Sequence, residues 1–184
     1  KNKANSKAGD DRTPAWRWIG SLYHDGDRVT VPHENIMRCL MEAGAQVPTG
    51  KGQKTFKSQT QSGLVCATFH WPLYVAADKT VSMDAIRELT TVDSFASHVE
   101  AARDMGFDLD VRRARVGQSK HVRVRPKFDT WSTEGEITIV DPAITVDVLR
   151  TILEVAGRYK GLGDWRPGGR TPGPWGMFTV QVSG

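Results

Sequence analysis

An α+β fold is what the sequence predicts, and three observations predict it. Short runs rich in β-branched and aromatic residues recur along the chain, as at Arg28-Val29-Thr30-Val31 and Ile137–Ile139. Between them lie two segments with apolar residues at helical spacing, around Ile36–Ala43 and Val148–Tyr159. Glycine and proline clusters punctuate the joins. Read coarsely, the order is strand, helix, strand, an insertion, strands, helix, strand.

Residues 1–14 are polar and read as a loose arm. Trp16 to Leu22 reads as a strand, and Asp25-Gly26-Asp27 as a turn before the strand of Arg28–Val31. Pro32 precedes a helix marked by Ile36, Cys39, Leu40 and Ala43, with Gly44 as its stop. Residues 47–63 hold three lysines and no acid, and read as a flexible basic loop. Leu64 to Tyr74 returns to strand character. Residues 76–107 read as an insertion with helical stretches from Met83 and over Val92–Met105. Leu109 to Phe128 reads as one or two strands broken near Gly117, and Trp131 to Val140 as another. Thr145 suits the N-cap of a helix whose buried stripe is Val148, Ile152, Val155 and Tyr159, supported by Leu149, Leu153 and Ala156, and Gly161 stops it. Gly176 to Val182 closes as a last strand. The expectation is a single domain over 15–184, with a ferredoxin-like βαββαβ core, a helical insertion at about 76–107 and a glycine-rich loop before the last strand.

The 184 residues carry a net charge of only +4, so the placement of charge matters more than its sum. Cys39 and Cys66 each lie in an apolar stretch and read as buried free thiols. Two cysteines make neither a disulfide framework nor a zinc pattern. No apolar run approaches the roughly 18 residues that span a bilayer. No signal-peptide pattern opens the chain, which begins at Lys1, and a cytoplasmic setting with no membrane partner is the expectation.

Three segments carry the functional signal. Arg112, Arg113, Arg115, Lys120, Arg123, Arg125 and Lys127 form a run of cations that no acid interrupts. Val122 and Val124 alternate with Arg123 and Arg125, so a strand sends valines to one face and arginines to the other. Guanidinium forks at that spacing suit phosphates, although a solvated sheet face guarded by charge has the same pattern. The second segment, Gly161–Phe178, holds six glycines, three prolines and two tryptophans. There Gly161 and Gly163 let backbone approach a phosphate, Trp165 and Trp175 suit base stacking, and Arg166 and Arg170 suit the sugar–phosphate chain. Tryptophans packed on the sheet are the alternative. The third is the loop of Lys51, Lys54 and Lys57, which suits a wrapped strand as well as it suits plain solvation.

Enzymatic signals are weak. The chain has no P-loop, no GxSxG and no HExxH. The glycines from Gly161 follow a helix rather than open one, so they make no dinucleotide fingerprint. His24, His33, His70, His98 and His121 are scattered. Asp129, Glu134, Glu136 and Asp141 lack the spacing of a metal site. No catalytic residue, metal or cofactor is expected, and a metal-dependent nuclease is the weakest of the options considered.

The glycines Gly161, Gly163, Gly173 and Gly176 before a last strand resemble the glycine-rich loop of the RAMP superfamily, which includes the backbone subunits of CRISPR effector complexes. Val31-Pro32 leading into Ile36–Ala43 resembles the strand-Pro-helix lead-in of those proteins. The run RVRPKFDTWS, then a strand, a helix and GLGDWRP, also resembles uncharacterised phage-encoded proteins. The resemblance covers about half of the chain. It implies an RRM-like core, oligomerisation along an RNA or single DNA strand, and a mobile insertion that grips that strand. No histidine stands where the catalytic RAMP nucleases need one, and the aromatic signature of RRM sheets is not evident.

The expectation is therefore a non-catalytic binder of single-stranded RNA or DNA, acting as a homo-oligomer or within a multi-subunit nucleoprotein complex. The alternative is a structural subunit of a phage or host complex, with the Trp/Gly-rich loop as a protein interface.

Overall fold

The computed structural model describes residues 12–116 and 119–183. In chain order its elements are β1 (Thr30–Pro32), α1 (His33–Gly44), α2 (Lys57–Ser62), β2 (Leu64–Cys66), β3 (His70–Val75), β4 (Lys79–Thr80), α3 (Met83–Glu88), α4 (Phe95–Asp104), β5 (Asp108–Val116), β6 (Ser119–Lys127), β7 (Ser132–Thr133), β8 (Ile137–Ile139) and α5 (Val146–Val155). The fold is α+β. Its strands pair in three sheets: β1-β3-β4 with β7 also on β3, β2 with β8, and β5 with β6. A βαββαβ core would place its four strands in one sheet, and that pairing is not among these. The chain divides into two compact units, residues 1–31 with 72–134, and residues 32–71 with 135–184.

In the first unit, the strand expected over Trp16–Leu22 is instead a 3-10 helix, Ala15–Ser21. Its three-residue turn puts Ala15 and Trp18 on one side, and both are buried. A strand would have paired Trp16 with Trp18 on one face, but only Trp18 has a place in the core. There its indole Nε1–H donates to His98 Nδ1 at 2.9 Å. His98 Nε2 lies 2.9 Å from the Val92 carbonyl, so the ring proton sits on Nε2 and donates to it. Residues 76–107 supply much of this core: Val81, Met83, Ile86, Leu89, Ala102 and Phe107 pack with Trp18, Leu73, Leu109 and Val124. Ser82 and Ser94 cap α3 and α4, accepting from the Asp84 and Ser97 amides.

In the second unit, α1 buries Ile36, Cys39, Leu40 and Ala43 as its spacing predicts. Gly44 is its last residue rather than a left-handed stop. It is glycine because a Cβ there would lie 2.5 Å from Thr60 Cγ2, so α2 sits hard against α1. The basic loop expected over 47–63 is an ordered hairpin followed by α2. Pro48 bridges Thr55, the Thr49 amide donates to the Lys54 carbonyl at 2.9 Å, and Phe56 and Thr60 are buried. The expected strand from Leu64 to Tyr74 is two strands, β2 and β3, in different sheets. The strand expected over Trp131–Val140 likewise splits at Gly135, where a Cβ would strike the Trp71 ring at 2.4 Å.

Thr145 caps α5, accepting from the Val148 amide at 3.3 Å. The buried line of α5 is Leu149, Ile152 and Ala156, one step round from the expected stripe, and Tyr159 is exposed. The helix widens into a π turn over Ala156–Lys160 and ends at Gly161, whose φ of +69° suits glycine. Residues 176–182 join no sheet, so the expected last strand is not formed. Their start is drawn onto the end of α5 instead, where the Phe178 amide donates to the Gly157 carbonyl at 3.2 Å.

Candidate nucleic-acid interface

The cationic run forms one two-stranded ribbon. β5 and β6 pair antiparallel with Asp108 opposite Lys127, Asp110 opposite Arg125, Arg112 opposite Arg123 and Ala114 opposite His121. Residues opposite one another share a face, and faces alternate along each strand. One face therefore carries Asp108, Asp110, Arg112, His121, Arg123, Arg125 and Lys127. The other carries Leu109, Val111, Arg113, Val122 and Val124. Leu109 and Val124 are buried, which roots that face in the core.

Charge along the ribbon is uneven. Near its root the cations meet acids that the linear run does not contain. Arg112 Nε pairs with Asp110 at 2.7 Å, Lys127 Nζ with Asp129 at 2.6 Å, and Arg103 from α4 with Asp108 at 2.9 Å. Asp129 holds the Lys127 ammonium above its ordinary range. From Arg112 to Arg123 the sequence contains no Asp or Glu. Arg112 faces Arg123 across the ladder, and Arg113 is exposed on the opposite face. The backbone register sets Arg115 opposite Lys120, whose side chains lie outside the described residues. Like charges directly opposite destabilise a ladder, so this half of the ribbon has the composition of an anion-binding surface.

The other candidate residues belong to the second unit. Lys51 and Lys54 are exposed in the hairpin between Pro48 and Thr55, and Lys57 is exposed at the start of α2. The glycine-rich segment is a braced loop. The Leu162 amide donates to the Gly176 carbonyl at 2.9 Å, the Gly168 amide to Lys160 at 2.9 Å, and the Gly173 amide to Arg166 at 3.2 Å. Its glycines serve close packing: a Cβ at Gly176 would lie 1.8 Å from the Leu162 carbonyl oxygen, and one at Gly173 would lie 2.2 Å from that of Trp165. Gly161 packs against Gly176 and Pro167, whereas Gly163 has open space around it. Arg170 and Trp165 are exposed and Trp175 is half-buried.

Arg166 serves a different purpose from the one its sequence context suggests. Its guanidinium forks onto Glu42 of α1 at 2.9 and 3.3 Å and also donates to the Lys160 carbonyl at 3.3 Å. It is a brace between loop and helix. Nothing in the local sequence marks Glu42 as its partner, because the two lie 124 positions apart. The fork, with help from Arg38, holds the Glu42 carboxyl below its ordinary value of 4.5. A depressed folded value means that this stabilisation is complete above 4.5 and is lost as pH falls through the folded value. Urea midpoints of the native chain and Glu42→Gln should therefore differ most near neutral pH and converge on acidification. A gap that is constant down to strongly acid pH would remove the ion pair as its cause.

Several other polar groups are occupied locally. Burial pushes the Cys39 thiol up to about 12 and the Cys66 thiol to about 11. Cys39 Sγ donates to the Gly161 carbonyl at 3.3 Å. Glu134 accepts from the Tyr74 hydroxyl, and Asp141 from the Ala143 amide. Among the described residues no three His, Cys, Asp or Glu side chains gather to hold a metal, and no helix is long and apolar enough to cross a membrane. No family model, curated protein or solved structure matches the chain.

Proposed function

We propose that this chain is a non-catalytic binder of single-stranded nucleic acid, RNA before DNA, that holds phosphates along the outer half of the β5–β6 ribbon. The observation that carries this reading is the cross-strand register that sets Arg112 opposite Arg123, the ends of a sequence interval that contains no Asp or Glu. A phosphate there would accept charge-assisted hydrogen bonds from guanidinium forks, in competition with Asp110, which pairs with Arg112 at 2.7 Å. Lys51, Lys54 and Arg170 are further exposed cations, in the second unit.

The order of elements supports an RRM-like core of the RAMP kind within this reading. β1 leads into α1, β2 pairs antiparallel with β8, α5 follows, and Gly176–Val182, which joins no sheet, comes last. A βαββαβ chain has that order if residues 72–134 are carried between its second and third strands. The ribbon then belongs to the inserted part. Oligomerisation along the strand is part of the same proposal.

Anisotropy of labelled single-stranded RNA and of its DNA counterpart, taken across a salt series, tests it. Affinity should fall linearly on a log–log plot, with RNA held more tightly, because each neutralised phosphate releases counterions. No binding of either strand at low salt by folded protein would remove the proposal and leave the protein-interface role.

A further inference from the structure

Trp165 is held in an unusual way. Its φ is +54°, a region that bulky side chains enter only against steric resistance. The surrounding loop enforces it. The Trp175 amide donates to the Trp165 carbonyl at 3.3 Å, and the Arg166–Glu42 fork anchors the next residue to α1. Gly173 lies so close that a Cβ there would sit 2.4 Å from Trp165 Cγ and Cδ1. The Trp165 and Trp175 rings meet edge to face, with centroids 5.3 Å apart. After all this bracing the Trp165 residue remains 40% exposed. A core tryptophan would be sunk, and a tryptophan of a slack loop would be free to turn. This one is both fixed and presented.

We infer that Trp165 is a preorganised stacking platform for an unpaired nucleobase. The proposal rests on the single-strand reading above and adds a base-contacting site to it, separate in chemistry from the phosphate contacts of the ribbon. A flat ring fixed before binding loses little freedom on contact, and stacking tolerates any base because each has a π-face. The Gly173 contact and the Trp175 edge are then what keep the platform in place.

The test uses the full chain and two labelled oligomers of equal length, one of thymidine and one of abasic tetrahydrofuran sites. Both carry the same phosphates, and only one carries bases. A stacked base is worth roughly five- to hundred-fold in affinity. The native chain should therefore bind the thymidine oligomer at least about five-fold more tightly than the abasic one. Trp165→Ala should erase that difference while leaving abasic affinity unchanged, and Trp165→Phe should keep most of it. Equal affinity of the native chain for both oligomers would overturn the platform but leave the phosphate reading standing. So would a Trp165→Ala variant that loses affinity equally for both, since that marks a structural role. Failure of both oligomers and of the labelled single-stranded RNA to bind at low salt would overturn the two readings together.

Discussion

Replacing Arg112 and Arg123 together with alanine is expected to weaken single-strand binding by at least roughly 100-fold, since each of two charge-assisted contacts is worth about 1.5–3 kcal/mol. The same variant should flatten the log–log salt slope by about 1.4, at roughly 0.7 per phosphate released on a single strand. Its stability should hold within about 1 kcal/mol, because the Arg112–Asp110 ion pair that it removes is solvent-exposed. Loss of binding without loss of folding separates a binding surface from a structural one. Lys51→Ala/Lys54→Ala provides the comparison: these lysines are point charges on a hairpin, and a smaller loss with the same sign is expected. An unchanged salt slope in the arginine variant would show that the ribbon holds no phosphates.

The largest stability effect is expected at His98→Ala, about 3 kcal/mol. Two costs add. A fully buried ring is removed and leaves a cavity, and the Trp18 indole N–H and the Val92 carbonyl lose their partners together. Trp18→Phe removes the donor side of the same bond. In a double-mutant cycle the two changes should couple, since each alone already breaks the Trp18–His98 contact. Urea unfolding measures both. A loss below about 1 kcal/mol for His98→Ala would show that water replaces the ring and its bonds. His98 is scattered among the histidines in the sequence, and only the fold shows it to be the polar centre of an apolar core.

Two helices, α1 and α5, were legible from the sequence, whereas α2 lay in what reads as a loop. α1 and α5 follow the 3.6-residue spacing of Ile36–Ala43 and Leu149–Ala156, and the Thr145 cap forms as its residue type predicts. The strand character of β5 and β6 was legible too, as one or two strands broken near Gly117, since Val122 and Val124 alternate with Arg123 and Arg125. Trp16–Leu22 was misread because two tryptophans and an isoleucine have strand character whatever their partners are. Burial of Trp18 against His98, eighty positions away, decided for a 3-10 turn. The glycine-rich loop was found, but the purpose of most of its glycines was not. Gly173 and Gly176 relieve contacts with Trp165 and Leu162, and such contacts exist only once the loop has closed.

What this sequence determined by itself was local: which segments coil, where they are capped, and that seven cations lie in one run between Arg112 and Lys127. Spacing and capping act within a turn or two, so their physics is present in the linear chain. What only the tertiary structure decided was pairing. It set Asp110 opposite Arg125, so that net positive charge concentrates toward the outer ribbon. It turned Arg166 from a candidate phosphate ligand into a brace on Glu42, and it left Trp165 fixed yet exposed. Electrostatic and packing energies depend on distance in space, and no spacing along the chain encodes a partner 124 residues away.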